Sequence, residues 1–219
     1  MRKLDKKPNI LVIGDLMIDH YLWGTCDRIS PEAPVQVVNV KKESSVLGGA
    51  GNVINNLFAL GANVDVISVV GDDLVANELK DLFDNINVSR NGLIVEKNRK
   101  TSKKSRLIAS QQQVLRYDME SIDDISSQSC DEILGKLKKD IKKYDSIILS
   151  DYGKGVLTSS LTKEIIKLAN ENKVKVLADP KGKDYSKYKG SYTLTPKKKE
   201  AIEATNIDIK DEESLIKAL

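Results

Sequence analysis

The sequence is poor in residues that staple a fold or ligate metals. It has two cysteines, Cys26 and Cys130, and a single histidine, His20, among 219 residues. The cysteines lie far apart with no CxxC spacing, so neither a disulfide framework nor a structural zinc site is expected, and a reducing compartment is. His20 has no partner at metal-ligand spacing and reads as a packing or hydrogen-bonding residue. No apolar run approaches the roughly 18 residues of a membrane span. The basic start, MRKLDKKPN, leads into an apolar run covering only residues 10–13, too short for the core of a signal peptide. A large excess of one charge is also missing. Lys+Arg number 35 against Asp+Glu 32, a formal +3, whereas a dedicated nucleic-acid binder shows a clustered basic surplus. Repeats, low-complexity tracts and flexible linkers are absent. What is present is 40% hydrophobic and 31% charged residues, enough to build a sizeable core and to exclude wholesale disorder. A soluble, cytoplasmic, globular protein with no nucleic-acid or membrane partner is expected.

Short apolar runs alternate with helical spacing. Residues 10–13, 64–70, 147–149, 174–178 and 192–194 read as strands, the first closed by Gly14. Helical patterns lie between them. One covers 52–60 and stops at Gly61; a second is capped by Asp72 and carries Leu74, Val75, Leu79, Leu82 and Phe83. Others carry Ile133, Leu134, Leu137 and Ile141, then Leu161, Ile165, Ile166 and Leu168, and a last one is opened by Thr195-Pro196. This alternation predicts an α/β fold with a mostly parallel sheet flanked by helices. Residues 21–46 and 90–118 break the rhythm with half-polar extended segments. Strands of that kind want one wet face, which places them in a small projecting sheet, a lid on a single domain covering 1–219. From Asp211 the chain reads as an acidic helical turn followed by Leu215, Ile216 and Leu219. No Gly, Asn or Pro stop signal follows, so the chain is expected to end inside a running helix.

The densest chemical feature is LGGAGNV at residues 47–53, opening a helix. Glycines at a helix N-terminus let a ligand approach free backbone N–H groups, which suit anionic or oxygen-rich groups; a plain flexible helix start is the alternative. The stretch from Gly49 to Ile54 nearly fits the dinucleotide fingerprint GxGxxG/A, but Ile54 is not small and the segment before it is polar. The fingerprint needs a buried strand immediately before the turn, so the dehydrogenase reading is distant. Asp15 and Asp19 follow the first strand, where open α/β sheets place ligands. A carboxylate there accepts hydrogen bonds from sugar hydroxyls, or, for Asp15, caps a turn. Arg106 and Arg116 stand where a core-building strand would not ask for them, and Lys154 and Lys181 follow successive strands, each beside glycine. Converging, they would form a cationic rim for a phosphorylated substrate. In TPKKKE at 195–200, Thr195 reads as the helix cap and three lysines oppose the dipole of the first turn, so they face either solvent or phosphate. Glu200 could hold a metal-bound water, because Mg²⁺ keeps waters and takes few protein carboxylates.

Together these stretches resemble the ribokinase (PfkB) family of sugar kinases, in particular its heptose 7-phosphate kinase branch. The resemblance rests on GDLMID at 14–19, RISPEAPV at 28–35, GGAGN at 48–52, QQVLRYD at 112–118, LSDYGKG at 149–155, DPKG at 179–182 and LTP at 194–196. The resemblance implies a ribokinase-like fold and phosphoryl transfer from ATP, with Mg²⁺, to the anomeric hydroxyl of D-glycero-β-D-manno-heptose 7-phosphate, a step toward ADP-heptose and lipopolysaccharide. It also implies that Asp19, Gly48, Gly49 and Asn52 hold the sugar, that Lys181, Lys197 and Glu200 lie on the nucleotide side, and that the lid builds a homodimer. Arg106, Arg116 and Lys154 are candidates for the 7-phosphate by position and charge.

The chain departs from the family pattern at three places. Position 54 is Ile where a small residue is usual, and Lys197 replaces the Asn of a TPNxxE motif. The GAGD segment that supplies the family's base and anion hole does not occur in these residues. Two readings follow: the sugar-binding part of a kinase whose C-terminal portion lies beyond Leu219, or a non-catalytic sugar-phosphate-binding remnant.

Overall fold

A computed structural model describes residues 7–218; Leu219 and the basic residues 1–6 lie outside the described residues. The elements run β1 (Asn9–Gly14), β2 (Leu16–Ile29), β3 (Gln36–Gly49), α1 (Ala50–Ala59), β4 (Asn63–Gly71), α2 (Leu74–Asn85), β5 (Leu93–Glu96), β6 (Ser102–Ala109) and β7 (Gln112–Met119). They continue with α3 (Ser127–Asp140), β8 (Ser146–Ser150), α4 (Ser159–Glu171), β9 (Lys175–Asp179), β10 (Thr193–Leu194), α5 (Lys198–Thr205) and α6 (Glu212–Ala218). Six strands form a parallel sheet in the order β10-β9-β8-β1-β4-β5. The expected α/β architecture is therefore present.

Period-two alternation divides the core between the two faces of that sheet. Leu11, Ile13, Ile67, Val69, Ile147 and Leu149 face α3 and α4 and meet Ile133, Leu137, Leu161 and Ile165. Val12, Val66 and Val70 face the other way, toward α1 and α2, and meet Ile54, Leu79 and Phe83. Ile54 is fully buried in that second cluster, so the large residue at position 54 is absorbed as packing.

The second sheet has the order β3-β2-β6-β7. Its pairs are antiparallel, parallel and antiparallel in turn, which makes it a mixed sheet. It begins at Leu16, earlier than the expected 21, because β2 follows β1 after Asp15 alone. The expected lid segment 90–118 is divided: Leu93–Glu96 pairs with β4 in the main sheet, and only β6 and β7 join the small one. A four-residue run with Ile94 and Val95 at its centre is as good an edge for a parallel sheet as for a mixed one, and its sequence does not say which.

Two helix starts also differ from expectation. The cap of α2 is Asp73, whose side chain accepts from the Ala76 N–H at 2.8 Å, and not Asp72. The cap of α5 is Lys197, not Thr195; the Thr195 N–H is spent on the Ala178 carbonyl at 3.0 Å, which keeps it extended beside β9. In α6, Asp211 accepts from the Ser214 N–H at 2.9 Å, as its acidic opening predicted. Among the described residues no helix is long and apolar enough to cross a membrane.

Candidate functional site

The carboxyl ends of the parallel strands point toward the small sheet, and Asp15 ties the two regions together. Its backbone N–H donates to the Ser150 carbonyl at 3.1 Å and its carbonyl accepts from Ala50 at 3.0 Å. Its buried carboxylate accepts from the N–H groups of Tyr152 (2.8 Å), Lys154 (3.1 Å) and Val156 (3.2 Å). Burial pushes the Asp15 carboxyl up against the pull of those three donors. Asp15 is thus the clamp on the loop after β8, as the turn-capping reading had it, and its oxygens are already occupied.

Asp19, four residues on in β2, is half-buried and available. Arg106 Nη1 donates to its Oδ1 at 2.6 Å. Its Oδ2 lies against Gly48, where a Cβ would collide with it. Gly49 has φ +57°, and a Cβ there would come 2.6 Å from the Asp15 carbonyl oxygen. The glycine pair therefore lets β3 turn into α1 right beside the carboxylate. Asn52 is exposed in the first turn of that helix. The dinucleotide reading fails here: the glycines follow β3, a strand of the small sheet, and not a strand of the parallel one.

Cross-strand register sets out the charged face. Asp19, Lys104 and Asp118 are partners across β2, β6 and β7, and Tyr21, Arg106 and Arg116 form the next row. Residues directly opposite share a face of a sheet. Arg116 grips Asp118 with two bonds, Nε to Oδ1 at 2.9 Å and Nη2 to Oδ2 at 2.7 Å. The Arg116 guanidinium holds the Asp118 carboxyl well below the usual carboxylate range. Lys104 Nζ lies 3.4 Å from Asp118 and 3.5 Å from Glu120, and Lys154 Nζ reaches Glu120 at 2.6 Å. The Arg106 guanidinium also sits 5.3 Å above the Tyr21 ring, which stacks on Trp23 at 5.4 Å. His20 is buried on the opposite face, 3.1 Å from Ser105 Oγ, in the hydrogen-bonding role expected of it.

A second cluster lies at the ends of β9 and β10. Lys181 Nζ donates to Glu200 Oε1 at 3.1 Å, and the Lys197 N–H donates to Glu200 Oε2 at 2.9 Å. Burial would raise the Glu200 carboxyl, but these two donors outweigh it and hold the group below its ordinary value. Asp179 is half-buried and its carboxyl is pushed up, first by burial and then by the Glu200 charge. Lys197, Lys198 and Lys199 are exposed to solvent. Of the two lysines expected to form one cationic rim, Lys154 engages Glu120 and Lys181 engages Glu200, while the Lys181 side chain runs beside Gly153. Clefts of about 380 Å³ and 320 Å³ open near Asp65, Lys143 and Tyr144, at the amino ends of the strands. Ligands of open α/β sheets bind at the other end.

Residues 7–219 match the pfkB family carbohydrate kinases. The chain belongs to that family. It is 81% identical over 216 residues to the bifunctional protein HldE of Aliarcobacter butzleri and 60% identical over 212 residues to that of Sulfurimonas denitrificans. Those alignments take in 99% and 97% of this chain but 45% and 44% of the two proteins, so the chain spans under half the length of these curated relatives. The fold is shared with Arabidopsis thaliana ribokinase complexed with ribose and ATP (TM-score 0.69, 15% identity, 97% of this chain and 67% of that one). It is shared as well with the tetrameric inhibited form of Escherichia coli phosphofructokinase-2 (TM-score 0.71, 15% identity, 96% and 68%).

Sequence reading missed Lys104, Glu120 and the pairing role of Asp118. The available signal was the i, i+2 spacing of Arg116 and Asp118, which puts both charges on one face of a strand, with Glu120 continuing the same spacing just past its end.

Proposed function

We propose that this chain carries the sugar-phosphate-binding part of a kinase acting on the anomeric hydroxyl of D-glycero-β-D-manno-heptose 7-phosphate, giving the 1,7-bisphosphate for ADP-heptose and lipopolysaccharide synthesis in the cytoplasm. The observation that carries the reading is Asp19 flanked by Gly48 and Arg106, with Arg116 and Lys154 farther along the same charged face. In this reading Asp19 accepts hydrogen bonds from sugar hydroxyls, and Gly48, Gly49 and Asn52 let the ring approach the start of α1. Arg106, Arg116 and Lys154 meet the 7-phosphate, which a guanidinium recognises with paired hydrogen bonds.

The nucleotide side is Lys181, Lys197 and Glu200, and ATP bound there supplies the phosphoryl group. Mg²⁺ fits the same corner through Glu200 and a bound water, with Asp179 as neighbour: two carboxylates that repel each other gain from a cation between them, and Mg²⁺ takes few protein ligands. The chain's own residues orient the sugar and its phosphate; the family's base and anion hole are not among them. The exposed apolar residues Ile29, Val40 and Leu115 on the small sheet, with Val35 just before β3, suit it to act as a lid and as a homodimer contact.

The chain has one tryptophan, Trp23, beside Tyr21, so its fluorescence reports ligand binding near Arg106. Titration with heptose 7-phosphate and with unphosphorylated heptose tests the reading. Arg116→Ala and Lys154→Ala are expected to weaken the phosphorylated sugar roughly tenfold and the free sugar little. Equal losses for both ligands would remove the phosphate assignment.

A further inference from the structure

Every cation assigned to the substrate phosphate is already paired in the free chain. Arg116 is held along one edge, through Nε and Nη2, by Asp118, Lys154 is held by Glu120, and Lys104 stands between the two carboxylates. Arg106 is paired in turn with Asp19. The strand places Asp118 on one face with Arg116 and register brings Lys104 alongside, while Glu120 follows one residue past the strand's end at Met119 and is held there by Lys154.

We propose that Asp118 and Glu120 are internal stand-ins for the substrate's phosphate, and that Lys104 is a further cation which that phosphate engages once the carboxylates give way. The inference rests on the sugar-phosphate reading above. Two bonds from one guanidinium to Asp118 match the fork a phosphate would accept, so the free site is pre-shaped for an anion with two acceptor oxygens. Glu120 is the incompletely satisfied member. Its Oε2 is shielded from solvent and finds no hydrogen-bond donor among the described residues, only the Lys104 ammonium at 3.5 Å. A shielded carboxylate oxygen without a donor is disfavoured, so the Glu120 pairings are the easiest to give up. A phosphate arriving between Lys104, Arg116 and Lys154 substitutes for both carboxylates at once. Asp118 and Glu120 then oppose binding of any anion that does not also gain contacts elsewhere, and unphosphorylated sugar leaves the pairs intact. They are positioning residues that set how selective the phosphate site is.

The test compares Asp118→Asn and Glu120→Gln with Arg116→Ala in the full chain, by Trp23 fluorescence and calorimetry, using heptose 7-phosphate, unphosphorylated heptose and inorganic phosphate. Both amides keep the shape of the side chain and remove its charge. The expected result is that each amide variant tightens heptose 7-phosphate and inorganic phosphate roughly threefold to tenfold, while free heptose is unchanged. Weaker or unchanged phosphate binding in the amide variants, with Arg116→Ala still weakening it, overturns the stand-in role and leaves the carboxylates as struts that orient the cations. No loss in Arg116→Ala defeats the phosphate reading itself, whatever the amide variants do. A thermal melt of each variant separates binding from folding, and a variant that does not fold is replaced by Lys104→Met, expected to weaken heptose 7-phosphate alone; unchanged affinity there also overturns the proposal.

Discussion

In the six-stranded sheet Leu11, Ile13, Ile147 and Leu149 are shut away from water on one face, and Val12, Val66 and Val70 on the other. The site-facing side of the four-stranded sheet instead carries Asp19, Lys104, Arg106, Arg116 and Asp118, all partly or fully in contact with solvent. The first sheet is held by area removed from water, which no small ligand can replace. The second is stitched by charges whose partners a phosphate or a hydroxyl can take over. Its pairs are only partly shielded, with side chains 15–46% exposed, so each contributes less than a buried pair would and exchanges more readily. The rigid sheet positions the site, and in the proposed function the charged one meets the ligand.

The comparison breaks most visibly in stability. Leu149→Ala is expected to cost about 2–5 kcal/mol by urea unfolding, whereas Leu115→Ala on the exposed small sheet should stay within about 0.5 kcal/mol. Similar costs at both positions would end the distinction.

The glycine pair sharpens it at the boundary. At Gly49 a side chain meets positive φ and a backbone oxygen 2.6 Å away, so Gly49→Ala should destabilise the fold by at least about 1–2 kcal/mol. At Gly48 the obstacle is the movable Asp19 carboxylate. Gly48→Ala should therefore cost sugar affinity while the melting temperature changes little.

The smallest effect is the pH response. Asp118 has a depressed carboxyl in the folded chain, so its stabilising contribution is fully present above the ordinary value of about 4 and is lost as pH falls. Asp15 has a raised one, and its ionisation opposes folding as pH climbs from about 4 toward the higher folded value. Denaturation midpoints of wild type and Asp118→Asn should differ at pH 6, begin to draw together as pH falls below about 4, and converge only in stronger acid well below pH 3. For Asp15→Asn the pH slope should change with the opposite sign. A common slope for both variants would contradict the contrast between clamp and rim.

The main strands and helices could be read from apolar periodicity, because burial imposes that pattern residue by residue. Element edges could not: Asp72 and Asp73 are equivalent caps on paper, and Asp73 is the one whose oxygen reaches the Ala76 N–H. The family motifs at 14–19 and 48–52 were legible from the residues, whereas Lys104 and Glu120 looked like ordinary surface charge. Asp15 and Asp19 also look alike in sequence, yet one is buried under three N–H groups and the other faces Arg106.

By itself, then, the sequence determined an α/β sugar-kinase architecture, its core and the motifs at the strand ends. Only the tertiary structure decided which charges meet: Lys154 goes to Glu120, Lys181 to Glu200, and Arg116 to Asp118 beside Lys104. The physical reason is that burial acts on each residue singly and leaves a pattern along the chain. An ion pair depends on the distance between two groups, and strand register and loop path set that distance.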